Sequence, residues 1–149
     1  MKSLSALVFV VFTVLENGCH QPVTQINGPS ESREGVKVEL VSVACQRRND
    51  DPETGDTIDI DMKVAVTNGS DRNVQFHPNR LRLIDSSARA PLRNNSPIPI
   101  GKGEKRIAQV HFLDDSGVTC TEHMKLDPAD SLTLGDPIHV APIGFIAED

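Results

Sequence analysis

The apolar positions of this chain fall into two regimes. Across residues 4–15 they are almost unbroken: Leu4, Ala6, Leu7, Val8, Phe9, Val10, Val11, Phe12, Val14 and Leu15. From Val36 onward they alternate with polar residues. Val36, Val38 and Leu40 are separated by Lys37 and Glu39, and Val41, Val43 and Cys45 follow. Ile58, Ile60, Met62, Val64 and Val66 then alternate with Asp59, Asp61, Lys63, Ala65 and Thr67. A period of two sends one set of side chains into a core and the other into water, which marks strands of an antiparallel sheet. On this pattern Asp59 and Asp61 belong to the wet face.

Further strands are predicted at 73–76, 80–85, 104–113, 131–134 and 138–140. Asn68-Gly69-Ser70-Asp71 is turn chemistry, and Asn-Gly predicts a hairpin there. Residues 46–56, with Pro52, and 86–99, with Pro91, Pro97 and Pro99, read as long loops; Gly101-Lys102-Gly103 and residues 114–117 read as turns, and 126–130 as a helical turn. No stretch sustains a 3.6-residue period. About seven short strands with Gly, Pro and Asn turns predict an all-β, antiparallel β-sandwich of the immunoglobulin type. Residues 20–35 are polar, without period, and hold Pro22, Gly28, Pro29 and Gly35, so a flexible tether is expected. The expected organisation is a signal peptide at 1–18, the tether at 19–35, the sandwich at 36–145 and a tail at 146–149.

The apolar run follows Lys2 and covers about twelve residues, too few for a bilayer core that needs about 20. It suits a secretory signal; a buried strand is the alternative. The run ends in Gly18-Cys19, a small residue directly before a cysteine. This resembles a bacterial lipoprotein signal, with one departure: Glu16 stands where that pattern has Leu, which here is Leu15. The resemblance implies that Cys19 is lipidated and becomes the mature N-terminus. It also implies, because His20 and not Asp follows, sorting to an outer membrane. Ordinary cleavage nearby or an uncleaved anchor are the other outcomes.

The order of strands carries a second resemblance. Val66-Thr67-Asn68-Gly69-Ser70 and Leu83-Ile84-Asp85 match "Val-x-Asn-x-Ser/Thr" and "Leu-x-Asp" stretches. In these the chain resembles the immunoglobulin-like, telokin-like domains of unknown function in bacterial secreted lipoproteins. Ser86-Ser87-Ala88 departs from it where the family often has Gly. The likeness spans about residues 36–140 and implies a fold; the family shares no enzymatic activity to carry over.

Composition narrows the partners. The 149 residues hold 15 Lys+Arg against 21 Asp+Glu, a net charge of -6. Nucleic acid needs a basic face, so it is not expected as a partner. Aromatics are five Phe with no Trp or Tyr, which leaves almost nothing for stacking on sugars or bases. The three cysteines are Cys19, Cys45 and Cys120, an odd count. Lipidating Cys19 leaves an even pair, and in an oxidising compartment Cys45 and Cys120 are expected to form a disulfide rather than remain buried thiols. Closing a loop of that length stabilises by roughly 4 kcal/mol in the chain-entropy model.

The motifs of common chemistry are missing. Gly101-x-Gly103 lacks the third Gly and the helix of a phosphate loop, and neither His-Glu-x-x-His nor Gly-x-Ser-x-Gly occurs. The five histidines, His20, His77, His111, His123 and His139, match no common metal spacing. Cys120, His123 and Met124 offer a copper-like ligand set, and Asp50, Asp51, Glu53 and Asp56 a calcium-like one without an EF-hand spacing. Their bland readings, a loop beside a disulfide and a solvated charge run, are preferred, and no catalytic residue, metal or cofactor is expected. Asn68-Gly69-Ser70 and Asn94-Asn95-Ser96 are formal glycosylation sequons that read more simply as turns. The expected function is a non-enzymatic, lipid-anchored cell-envelope protein, a binding or accessory module for an envelope partner, with loops 46–56 and 86–103 as its working surfaces. The alternative is a periplasmic or extracellular carrier of a metal or small ligand.

Overall fold

The computed structural model describes residues 24–48, 57–85, 88–92, 95–115, 120 and 123–147. Cys19, the apolar run and the acidic cluster at residues 50–56 lie outside them. The strands are β1 (Thr24–Ile26), β2 (Ser30–Glu31), β3 (Val36–Arg48), β4 (Thr57–Asn68), β5 (Val74–Phe76), β6 (Arg82–Ile84), β7 (Ala88–Arg89), β8 (Ile98–Ile100), β9 (Lys105–Asp114), β10 (His123–Asp127), β11 (Leu132–Leu134), β12 (Asp136–Pro137) and β13 (Ile143–Ala147). A single 3₁₀ turn, Pro78–Arg80, lies between β5 and β6.

All pairings are antiparallel, in three sheets ordered β2-β3-β4-β9, β1-β13-β10-β6-β7 and β12-β11-β5-β8. The first two are the layers of a β-sandwich, with β3 packed against β1 and β13. The third adds Val74, Phe76, Ile100 and Leu132 to the same continuous core. Ile58, Ile60, Met62, Val64 and Val66 of β4 are buried, as their alternation requires. The core is aliphatic apart from Phe76, Phe112 and Phe145.

The phase of β3 slips midway. Leu40 pairs with Val64 but Ser42 pairs with Lys63, so Val41 is an extra residue, a β-bulge. The bulge leaves Val41 44% exposed and returns Val43 and Cys45 to the core. Without it the second half of the strand would turn its apolar residues outward.

Two ends of the sandwich can be told apart. At one, Arg48 pairs with Thr57 and Ile58 with Asp114. Here Cys45 and Cys120 form a disulfide, with Cα atoms 5.8 Å apart and 75 residues between them. It ties β3 to the segment that enters β10, and so ties the two layers together. At the other end, Val36 pairs with Asn68, and Thr67 with Lys105.

Asn68 organises that second end. Its side chain is fully buried. Nδ2 donates to the carbonyls of Arg72 at 2.7 Å and Ile100 at 3.0 Å, while Oδ1 accepts from the Ser70 amide at 3.0 Å and the Ser70 hydroxyl at 2.6 Å. The Asn68 amide donates to Glu104 O, and its carbonyl accepts from the Gly103 amide. Gly69 donates to Gly35 O at 2.9 Å, and a Cβ on Gly69 would stand 2.6 Å from that oxygen. Gly35 itself has φ 81, a conformation open to glycine at little cost. The expected hairpin does not form. The Asn-Gly turn instead sends the chain from β4 into a different sheet, because its polar groups are taken by three other turns.

Other expectations change as well. Within the expected tether, β1 pairs with β13, β2 pairs with β3, and Asn27 donates to Gly144 O. This part of the segment belongs to the sandwich, held by ladder bonds that need no apolar period. The expected tail begins too early, since β13 runs to Ala147. Leu126 and Asp127 are extended in β10, not helical; the turn falls at Ala129–Asp130, where the Ser131 amide donates to Pro128 O at 2.8 Å and Asp127 Oδ1 accepts the Ala129 amide at 2.9 Å. Residues 138–140 are not a strand, although Ile138 and Val140 are buried.

Asn68→Ala is expected to destabilise the protein by about 3 kcal/mol, because the carbonyl of Ile100 and the amide of Ser70 lose their partners. Gly69→Ala is expected to destabilise it too, by forcing β4 away from Gly35. Urea midpoints of both variants against the parent check this; unchanged midpoints would remove Asn68 from its role.

Candidate functional site

Asp59, Asp61 and His111 come together on the outer face of the β3-β4-β9 sheet. Asp61 is directly opposite His111. The His111 carbonyl accepts from the Leu92 amide at 2.9 Å on the far side, so its backbone points away from β4. That makes this a non-hydrogen-bonded pair, the kind in which opposite side chains stand closest. His111 Nδ1 lies 2.9 Å from Asp61 Oδ1, and Nε2 lies 3.3 Å from Asp59 Oδ1. Asp59, one step along the same face, is 7% exposed, against the expectation that it faces water. Leu113 and Gln46, its cross-strand neighbours, flank it.

This arrangement brackets an imidazole between two carboxylates. No group of three or more His, Cys, Asp or Glu side chains among the described residues has the disposition to hold a metal ion. With Asp59 buried and Asp61 half-exposed, the cluster is a clasp between β4 and β9.

Further along the same face Lys105 Nζ lies 3.0 Å from Glu39 Oε2. The hydrogen bond and charge of Lys105 hold the Glu39 carboxyl below its ordinary value. Glu104 is lowered in the same direction, first by the Gly101 amide that it accepts at 3.0 Å and then by Arg106. His77, beside the 3₁₀ turn, is lowered by burial and then by Arg80.

A second polar cluster closes the disulfide end. Arg89 Nη2 is 3.1 Å from Asp114 Oδ1, Nη1 is 2.9 Å from Asp115 Oδ1, and Nε is 3.7 Å from Asp85 Oδ2. Asp114 and Asp85 are almost fully buried, while Asp115 is open. Asp114 takes the next inward position of β9 after Ala108, Val110 and Phe112. That continuation is the signal by which a charged residue on the core side can be found in the sequence. Arg89 lies in the segment 86–103 expected to be a loop; β7 and β8 form there instead, and the Arg89 guanidinium joins β7 of one layer to the end of β9 in the other.

The remaining sequence candidates fall out as follows. Cys120 is bonded to Cys45 and its thiolate is not free for a metal. Met124 is buried and His123 exposed, on opposite faces of β10, so the copper-like set does not converge. The Asn68 amide is buried and fully engaged, which confirms a turn and leaves no acceptor for a glycan. Of the loops expected to work as surfaces, 46–48 continue β3, and 49–56 lie outside the described residues, as does Asn94. Arg33, Glu34, Pro137 and His139 line a shallow open groove of about 410 Å³ at the Asn68 end. No protein-family model matches the chain, and no curated protein matches it.

His111→Ala is expected to cost about 2 kcal/mol, because the buried Asp59 carboxylate loses a partner. Asp61→Ala, at a half-exposed position, is expected to cost under about 1 kcal/mol. Chemical denaturation of the two variants checks the order; a larger loss for Asp61→Ala would contradict it.

Proposed function

We propose that the protein is an exported, lipid-anchored cell-envelope protein whose β-sandwich serves as a non-enzymatic binding or accessory module for an envelope partner. The observation that carries this reading is the pairing of Cys45 with Cys120. Disulfides of this kind persist in oxidising compartments. The pairing also leaves Cys19 as the odd cysteine, at the place where a lipoprotein signal has its acylated residue. The sandwich supports the immunoglobulin-like kinship through its layers and short turns, and binding is the role such domains most readily carry on open faces and edges. The exposed clasp of Asp61 and His111 and the ion pair of Glu39 and Lys105 give one face a charge pattern that a protein partner can read.

The test is the intact mass of the mature protein from an export-competent bacterial host, beside a Cys19→Ala variant. The expected result is an N-terminus at Cys19 with added acyl mass, absent in the variant. A chain trimmed elsewhere, or whole and without lipid, would overturn the anchor.

A further inference from the structure

We infer that the domain is held close to the bilayer in one orientation, with the disulfide end toward the lipid and the Asn68 end away from it. This rests on the lipid anchor proposed above, and it follows from where the chain enters the fold.

Thr24 pairs with Ala147 and Ile26 with Phe145. His123, at the start of β10, pairs with Ile146. The start of β1 is therefore at the same end of its sheet as the start of β10. Cys120 lies three residues before β10, and its bond to Cys45 fixes which end of the opposite layer this is. A second link agrees: Arg89 of β7 reaches Asp114 at the end of β9. The far end of β1 agrees as well, because the chain continues through Asn27 to β2, where Ser30 pairs with Val38 and Glu31 with Lys37, close to Val36 and Asn68. So β1 enters at the disulfide end and runs toward the Asn68 end.

Only residues 20–23 separate Cys19 from β1. At full extension the link from Cys19 to Thr24 spans at most about 18 Å. The twelve residues of β4 are about 40 Å long. The link is thus shorter than the domain, and it cannot carry the entry end away from the bilayer while the Asn68 end approaches from above. A tether reaching to residue 35 would have allowed free tumbling; β1 and β2 remove that freedom. What is turned away from the lipid is the Asn68 end, with the turns at 69–72 and 101–104 and the groove of Arg33, Glu34, Pro137 and His139.

The test places one label at each end of the acylated protein. Ala88→Cys is exposed at the disulfide end and Lys102→Cys at the Asn68 end. With Cys19 acylated and Cys45 bonded to Cys120, each variant has one free thiol for a fluorophore. Vesicles of phosphatidylethanolamine and phosphatidylglycerol carry a headgroup nitroxide quencher. The expected result is flotation with the vesicles and quenching several-fold stronger at residue 88 than at 102, with the difference lost when a long Gly/Ser insert follows Gln21. Flotation with equal quenching, or stronger quenching at 102, would overturn the orientation while the anchor stands. Failure to float, with no acyl mass at Cys19, would overturn the anchor and the orientation with it.

Discussion

The covalent bond between Cys45 and Cys120 is the constraint on which the sandwich depends. The core is aliphatic, with three buried Phe and no Trp or Tyr to bridge the layers. Its two layers pack through that shared core, with β3 against β1 and β13. The bond closes 75 residues of chain, which in the chain-entropy model limits the unfolded state by roughly 4 kcal/mol. Total stabilities of domains are of the order of 5–15 kcal/mol, so this one bond is a large share. Arg89, set among Asp85, Asp114 and Asp115, closes the same end with charge, and such a cluster tolerates burial only while the layers stay together.

The opposite end is closed without a covalent bond. Asn68 uses both ends of its amide and both of its backbone groups to hold the turns at Ser70–Arg72 and Gly101–Glu104, and the Gly69 amide holds the turn at Gly35. The two ends thus divide the work. One is fastened and receives the N-terminal chain. The other is a compact set of turns held by hydrogen bonds.

The core face of β4 was legible in its alternation, but the burial of Asp59 and Ala65 on the other face was not, because it comes from the neighbouring strands. The pairing of Cys45 with Cys120 was legible by a different route, from the even pair that remains when Cys19 is set aside. Four other things were not legible. The hairpin signal of Asn68-Gly69 is local, and it lost to long-range bonds from Gly35, Ile100 and Glu104. The strands β1 and β2 have no apolar period, so only their partners β13 and β3 define them. The bracketing of His111 by Asp59 and Asp61 needed the register of β4 against β9, although all three residues stood out individually. The phase slip at Val41 was written in the sequence as an unbroken Leu40-Val41 step, and its meaning as a bulge came only with the pairing.

The most direct measurement is guanidinium unfolding of the mature domain, with and without reductant, beside a Cys45→Ala/Cys120→Ala variant. Reduction and substitution are expected to lower the unfolding free energy alike, by roughly 4 kcal/mol, with the oxidised parent alone resisting. Coincident unfolding curves for all three would contradict it, since the layers would then be held by the core alone.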